Sequence, residues 1–435
     1  MRKKTYRMQR GIVTFSLIGV TLLLWIFFLR VYPLITEKIT IIQLPEIESN
    51  IFVVFVGLIL MSLFLGWSFR NKLWNGLPFA LRYYSITKRL RRQIKDARFE
   101  DEREFDNRLV RLPKIKIVFN DNRKRTTGKV LIQNSIQFDK KLEDMRIDAA
   151  LKGYVSEQQY LSQDRNWYVY EIYSIGSQKQ IEIKSENELI EWTKETADDY
   201  ELRLDERTTL PLHHIALVGQ TGSGKSFFIQ MLVKQVLAKK ANHKFFVVDP
   251  KKTDVYYMSK RLIGTKRTAD KGKAIELIKA FYEQYKKRQN ELSSYFESTS
   301  NKTYKDAGKP ALILLIDEFG SLKESWRTLP KKERDEVESI LSELTFEGRQ
   351  LGCLVWFATQ QMDAKVVPTS IRGQLIMKIA LGDSDEQTYN TLFSPSVDIP
   401  PIQFSPGQGV YSYPGIVSSN KPRLLMVPFC SFMIG

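Results

Sequence analysis

The sequence predicts a mixed α/β protein with a large parallel-sheet domain, a smaller α+β domain ahead of it, and two N-terminal transmembrane helices. Three observations carry this. Two nineteen-residue stretches, 11–29 and 51–69, contain no charged residue. Between 112 and 204, short runs of β-branched and aromatic residues alternate with polar ones. After 205, wholly apolar runs alternate with longer amphipathic stretches, the pattern of strands buried on both faces between helices.

The N-terminal elements come first. At about 1.5 Å of rise per residue, either charge-free stretch spans roughly 28 Å, close to a hydrocarbon core. Arg2, Lys3, Lys4, Arg7 and Arg10 precede the first stretch; Arg70, Lys72, Arg82, Lys88 and Arg89 follow the second. The loop between them is slightly acidic, so the positive-inside rule puts both termini in the cytoplasm of a multi-pass protein of the cell membrane. No small-residue cleavage site follows the first stretch and a second span comes soon after, which argues against a signal peptide. Residues 1–81 are therefore read as a membrane anchor.

Charge has to be located before it is interpreted. Residues 1–95 hold fifteen Lys and Arg against three acids, so +12 of the net +17 lies beside the predicted spans. Its first meaning is topology and lipid headgroups rather than nucleic acid. The two cysteines, Cys353 and Cys430, are far apart in apolar company, which excludes a disulfide framework and a metal-ligand spacing and points to a reducing compartment.

Residues 82–111 are densely charged and predict a connector helix. The segment 112–204 predicts the small α+β domain, with strands at "KIKIVF", "GKVLIQ", "WYVYEIY" and "KQIEIKS" and a helix at "LEDMRIDAALKGY". It contains no catalytic constellation, and its aromatics read as core.

The domain 205–435 carries the chemistry. Gly219-Gln220-Thr221-Gly222-Ser223-Gly224-Lys225-Ser226 satisfies G-x-x-x-x-G-K-[ST] in full, between a predicted strand and a predicted helix. The glycines let successive backbone N–H groups face the phosphates of ATP; Lys225 neutralises the β and γ oxygens and Ser226 offers its hydroxyl to Mg²⁺. "ALILLIDEF" brings Asp317 to the carboxyl end of an apolar strand, where a carboxylate can hold Mg²⁺. Glu318, next in line, is the residue expected to polarise the attacking water. "GRQLGCLVWFATQQ" sets Arg349 before a buried strand and Thr359 and Gln360 at its far end, so Arg349 cannot easily serve its own site. It could reach a neighbour's γ-phosphate in a ring while Thr359 or Gln360 senses the nucleotide at home; taken alone, Arg349 reads as a surface ion-pair residue. His213, His214 and His243 lack a metal-ligand spacing and are read as structural.

Five landmarks in order, "GQTGSGKS", "VVDPKKTD", "LLIDEF", "GRQLG…ATQQ" and "PGQGVY", resemble the FtsK/SpoIIIE branch of the FtsK–HerA motors, and among them the coupling proteins of Gram-positive conjugative elements, a group that includes TcpA-like proteins. The resemblance covers about 205–415. It implies a RecA-like P-loop ATPase that works as a homo-hexamer and moves single- or double-stranded DNA with ATP; a motor that must traverse any sequence is expected to grip phosphates rather than base edges. It also implies that Arg349 is the arginine finger, and that relaxase and transfer-channel proteins are partners. The chromosome translocases of the family carry more spans and a C-terminal winged-helix reader, for which about 26 residues after Gly409 leave no room. Chromosome-segregation and protein-secretion ATPases stay open as alternatives. Lys251, Lys252 and "SKRLIGTKRTADKGK" are candidate DNA contacts; each lysine reads equally well as part of a solvated basic face.

Overall fold

The computed structural model describes residues 4–5, 48–96, 101–102, 109–122, 125–136, 139–143, 145–174, 180–298, 300–363, 367–400 and 402–433. The chain divides into two compact units, one ending at Ser177 and the other beginning at Gln178.

In the first unit, the apolar stretch 51–69 lies on helix α1 (Glu48–Arg70), while 11–29 lies outside the described residues. Among the described residues no helix is long and apolar enough to cross a membrane. Within α1 that statement covers Gly57 and residues 59–70, a length of about 20 Å at helical rise. Leu60, Met61, Phe64 and Phe69 of this part are exposed. The side-chain amide and the backbone N–H of Asn71 both donate to Trp67 O and close the helix.

The charged stretch after it is not a free connector. Helix α2 (Leu77–Asp96) places Phe79, Tyr83, Ile86, Leu90 and Ile94 on one buried face, the spacing of an amphipathic helix. That face packs on an antiparallel sheet of β1 (Ile115–Phe119), β2 (Thr127–Gln133), β3 (Tyr154–Leu161) and β4 (Trp167–Ser174), in the order β1-β2-β4-β3. Ile117, Val130, Ile132, Tyr170 and Ile172 complete the core from the strands. The basic residues Arg82, Lys88, Arg89, Arg92 and Lys95 occupy the exposed face of α2. The expected helix over 142–154 is absent. Among the described residues of that stretch, Leu142 and Glu143 end a short helix, Asp139–Glu143, and one further turn forms at Asp148–Ala150, where the Asp148 carboxylate accepts from Ser156 N at 2.6 Å while Ile147, Ala150 and Leu151 enter the core.

The second unit takes in 178–204, which the sequence reading joined to the small domain. "KQIEIKS" contributes only the strand Glu182–Ile183, and this pairs in parallel with Phe429–Cys430. Helix α3 (Glu186–Lys194) follows, capped by Ser185 Oγ accepting from Glu188 N.

The body of the unit is an eight-stranded sheet. Its elements run β5 (Ile215–Gly219), α4 (Lys225–Leu237), β6 (Lys244–Val248), α5 (Asp254–Ile263), β7 (Thr268–Ala269), α6 (Ala274–Ser298), β8 (Leu312–Ile316), α7 (Phe319–Ser325), α8 (Lys331–Leu351), β9 (Cys353–Thr359), β10 (Met377–Leu381), β11 (Gln408–Ser412) and β12 (Arg423–Met426). The strand order is β7-β6-β8-β9-β5-β10-β11-β12. The first six strands are parallel, and β11 and β12 join antiparallel. β5, β8 and β9 are buried along their whole length, so both faces must be covered by helices. Their carboxyl ends lie on one edge, with β5 central. That edge positions the site.

Candidate functional site

β5 ends at Gly219, and the chain turns through Gly222 (φ 84°) and Gly224 (φ 92°) into α4. Both glycines use the left-handed region that side chains disfavour. Gly219 is required by space, since a Cβ there would stand 2.5 Å from Ser223 Oγ. The loop also rests on a turn ahead of β11: Gly407 N donates to Ser223 O at 2.9 Å, and a Cβ on Gly224 would come within 3.0 Å of Gly407 N. The buried Ser223 hydroxyl has no hydrogen-bond partner, as expected of a cradle shaped for a group with acceptor oxygens.

Lys225 opens α4 and is buried. Its Nζ donates to Asp317 Oδ1 at 2.8 Å and stands 3.4 Å from Glu318 Oε2. Asp317 follows β8, its backbone N–H tied to Val248 O. Burial raises its pKa, opposed by the Lys225 ammonium. Such a carboxylate favours a cation beside it. Glu318 is a non-glycine residue at φ 56°, its N–H donating to Asp317 Oδ1 at 3.0 Å. This strained backbone sits at the mouth of the loop, where strain persists only if the surroundings enforce it.

These groups line one cleft of about 470 Å³. The structure brings together Gly219, Gln220, Thr221, Gly222, Gly224, Lys225, Ser226, Asp317, Glu318 and Gln360, all in its wall. Of the two residues offered as sensors, Gln360 faces the cleft, while the Thr359 hydroxyl is spent on Gln361 O at 3.0 Å. Arg349 is not part of this assembly. It is exposed in the last turn of α8, at the other end of the seven-residue β9, about 20 Å along the strand. Its two glycine neighbours have local reasons: a Cβ on Gly348 would meet Cys353 O at 2.2 Å, and Gly352 caps α8 at φ 73°.

Lys251 belongs to the cleft, its Nζ 3.9 Å from Glu318 Oε1, and Lys252 pairs with Asp270 at 2.7 Å. The loop that carries them is built by Asp249, fully buried, which accepts from Lys251 N, Thr253 N, Thr253 Oγ1 and Tyr256 N. Lys260, Arg261, Lys266, Lys271 and Lys273 are exposed near β7 at the sheet edge.

The histidines are fastened to backbone. His214 Nδ1 accepts from Val355 N at 2.9 Å across the β5–β9 seam, His213 Nδ1 from His214 N, and His243 Nδ1 from Ala311 N. Burial lowers the pKa of His213 and of His214 to about 3, with the Arg349 guanidinium adding to it.

Sequence reasoning did not find Gln180, Val427, Pro428 and Phe429, which complete the cleft wall. The "PGQG" landmark was the only signal in their direction. Gln180 lies 247 residues from the carbonyl it bonds, beyond the reach of any local pattern.

The chain is similar to several known proteins. Residues 196–259 match the family model described as the central domain of the helicase HerA. An FtsK domain-containing protein, YdcQ of Bacillus subtilis (strain 168), is 24% identical over 182 residues, 42% of this chain and 37% of that protein. The DNA translocase FtsK of Halalkalibacterium halodurans is 25% identical over 195 residues, 41% of this chain and 24% of its own. The chain therefore spans well under half the length of these relatives. Among solved structures, the pCW3 conjugation coupling protein TcpA, in its monomer form with ATPγS, is similar over 79% of this chain and 95% of its own, at 15% identity and a TM-score of 0.47.

Proposed function

We propose that this chain, whose nucleotide-binding unit belongs to the FtsK–HerA superfamily of P-loop ATPases, is an ATP-driven DNA translocase anchored in the cell membrane. In this reading it acts as a coupling protein that hands DNA to a conjugative transfer channel, with a relaxase and channel subunits as partners. The observation that carries the ATPase is the Lys225 ammonium held between Asp317 and Glu318 at the mouth of a complete phosphate loop. ATP phosphates displace Lys225 from Asp317 onto their own oxygens. Mg²⁺ fits the freed Asp317 carboxylate and the Ser226 hydroxyl, two hard oxygen donors in one cleft wall; when bound, it neutralises charge on the transferred phosphoryl group. Glu318 then orients the attacking water.

DNA as the polymer is supported by the relatives named as DNA translocases and by the exposed cations Lys260, Arg261, Lys266, Lys271 and Lys273, which suit phosphates rather than base edges. A homo-hexamer is supported by Arg349, exposed and remote from its own cleft, where it can complete a neighbour's site. The anchor is supported by the charge-free stretches, by the 23-residue helix Glu48–Arg70 and by its exposed Leu60, Met61, Phe64 and Phe69. Both termini then face the cytoplasm.

The test is ATP turnover by the full chain in detergent micelles, with duplex DNA, single-stranded DNA or neither, beside Lys225→Ala. DNA is expected to raise turnover several-fold, less at high salt, and the substitution to abolish it. Turnover indifferent to DNA but raised by a secreted polypeptide would replace this reading with a protein-secretion ATPase.

A further inference from the structure

The nucleotide cleft has two chemically different ends, and the sheet order says which is which. On the β9, β8 and β6 side of the loop stand Gln360, Asp317, Glu318 and Lys251. On the β10, β11 and β12 side the wall is Pro406, Gly407, Val427, Pro428 and Phe429; Phe227 of α4 lines the cleft as well. Phe227 and Phe429 are 45% and 43% exposed, two aromatic rings left bare in a cleft whose opposite end is charged. Phosphates belong at the charged end. The base of the nucleotide, a flat apolar body with polar edges, belongs at the other end, beside Phe429.

One polar side chain stands at that end. Gln180 Nε2 donates to Val427 O at 2.9 Å, Val427 N donates to Gly407 O at 2.8 Å, and Gly407 N donates to Ser223 O of the phosphate loop at 2.9 Å. The position is exacting, since a Cβ on Gly407 would lie 2.6 Å from Gln180 Nε2. The strand pairing that follows, Glu182–Ile183 on Phe429–Cys430, with Phe429 N donating to Ile181 O at 2.7 Å, fixes Gln180 relative to the Phe429 ring. Val427 O can only accept, so it dictates which way the amide faces. A flipped amide would set two acceptors against each other. Gln180 Oε1 is thereby left as an acceptor on the cleft wall.

We propose that Gln180 is the residue that selects the base: its Oε1 accepts from the 6-amino group of adenine and rejects a purine carrying an oxygen at that position. The inference rests on the ATPase reading of the cleft and adds the origin of its nucleotide specificity. A 6-oxo purine puts its own acceptor against Oε1, and the amide can turn to meet it only by giving up its bond to Val427 O. Sites built around one hydrogen bond discriminate strongly against a ligand that leaves it unmade.

The experiment compares MgATP with MgITP, which differ at the 6-position, as competitors of a fluorescent mant-ADP on the full chain in detergent micelles without DNA. The unsubstituted chain is expected to bind ATP at least tenfold more tightly than ITP. Gln180→Leu is expected to weaken ATP about tenfold more than ITP, and Phe429→Ala to weaken both alike. Equal weakening of ATP and ITP by Gln180→Leu would reduce Gln180 to a strut of the wall and overturn the proposal, as would no preference in the unsubstituted chain. Because the readout is binding without DNA, loss of DNA-stimulated turnover would leave it intact, and its own failure would leave the translocase reading intact.

Discussion

At the scale of single residues, Glu318 has a backbone at φ 56° and a side chain 3.4 Å from the Lys225 ammonium, so it is held in place before any nucleotide arrives. Glu318→Gln keeps the shape and removes the proton acceptor. It is expected to leave ATP binding within about twofold and to lower turnover by roughly 10²- to 10⁴-fold, measured by single-turnover hydrolysis beside equilibrium binding. The histidines make a second prediction. His213 and His214 are held neutral, with pKa values lowered from 6.5 to about 3, so the unfolded chain binds protons that the folded one refuses. Their contribution to stability is therefore flat well above pH 6.5 and falls below it, by about 1.4 kcal/mol per pH unit for each histidine. Urea unfolding at pH 8, 6.5 and 5.5 reads this out; a midpoint as high at pH 5.5 as at pH 8 would contradict it. The phosphate loop, Asp317 and Glu318 were legible in the sequence because their spacing is local and each follows an apolar strand. Asp249 was quoted only as part of a motif, since four hydrogen bonds to its own loop leave no mark on residue spacing.

At the scale of elements, α2 is the clearest departure from the linear reading. A stretch dense in charge looked like a connector, but charge covers only one face, and every third or fourth residue is apolar and buried. Leu90 is fully buried against the sheet, so Leu90→Ala is expected to cost about 2–5 kcal/mol and to lower the first unfolding transition in calorimetry while nucleotide binding stays unchanged. The strands of the large sheet were legible because burial on both faces makes them continuously apolar. The turn at Asp148–Ala150 was not, since a side chain bonding to backbone eight residues on competes with helix formation invisibly. β11 and β12 were missed as a pair: antiparallel strands that follow a loop signal only through alternation, and theirs is short.

At the scale of the whole molecule, the proposed ring would join Arg349 of one copy to the Lys225 cleft of the next, since within one copy Arg349 is exposed away from that cleft. Lys225→Ala and Arg349→Ala are each expected to be inactive alone. Mixed in equal amounts before assembly, they should regain turnover at about a quarter of the sites, where an intact loop meets a neighbour's intact arginine. Mixtures as inactive as their components would place the arginine outside catalysis. The division between Ser177 and Gln178 was not legible, because what draws 178–204 to the second unit is pairing with Phe429 and Cys430 at the far end of the chain. The seating of α2 on its sheet also decides where the protein can be cut. A soluble version made by starting at the first strand would strip Phe79, Tyr83, Ile86, Leu90 and Ile94 from their partners and precipitate. One that starts at Leu77 discards α1 and its bare apolar side chains yet keeps that layer whole.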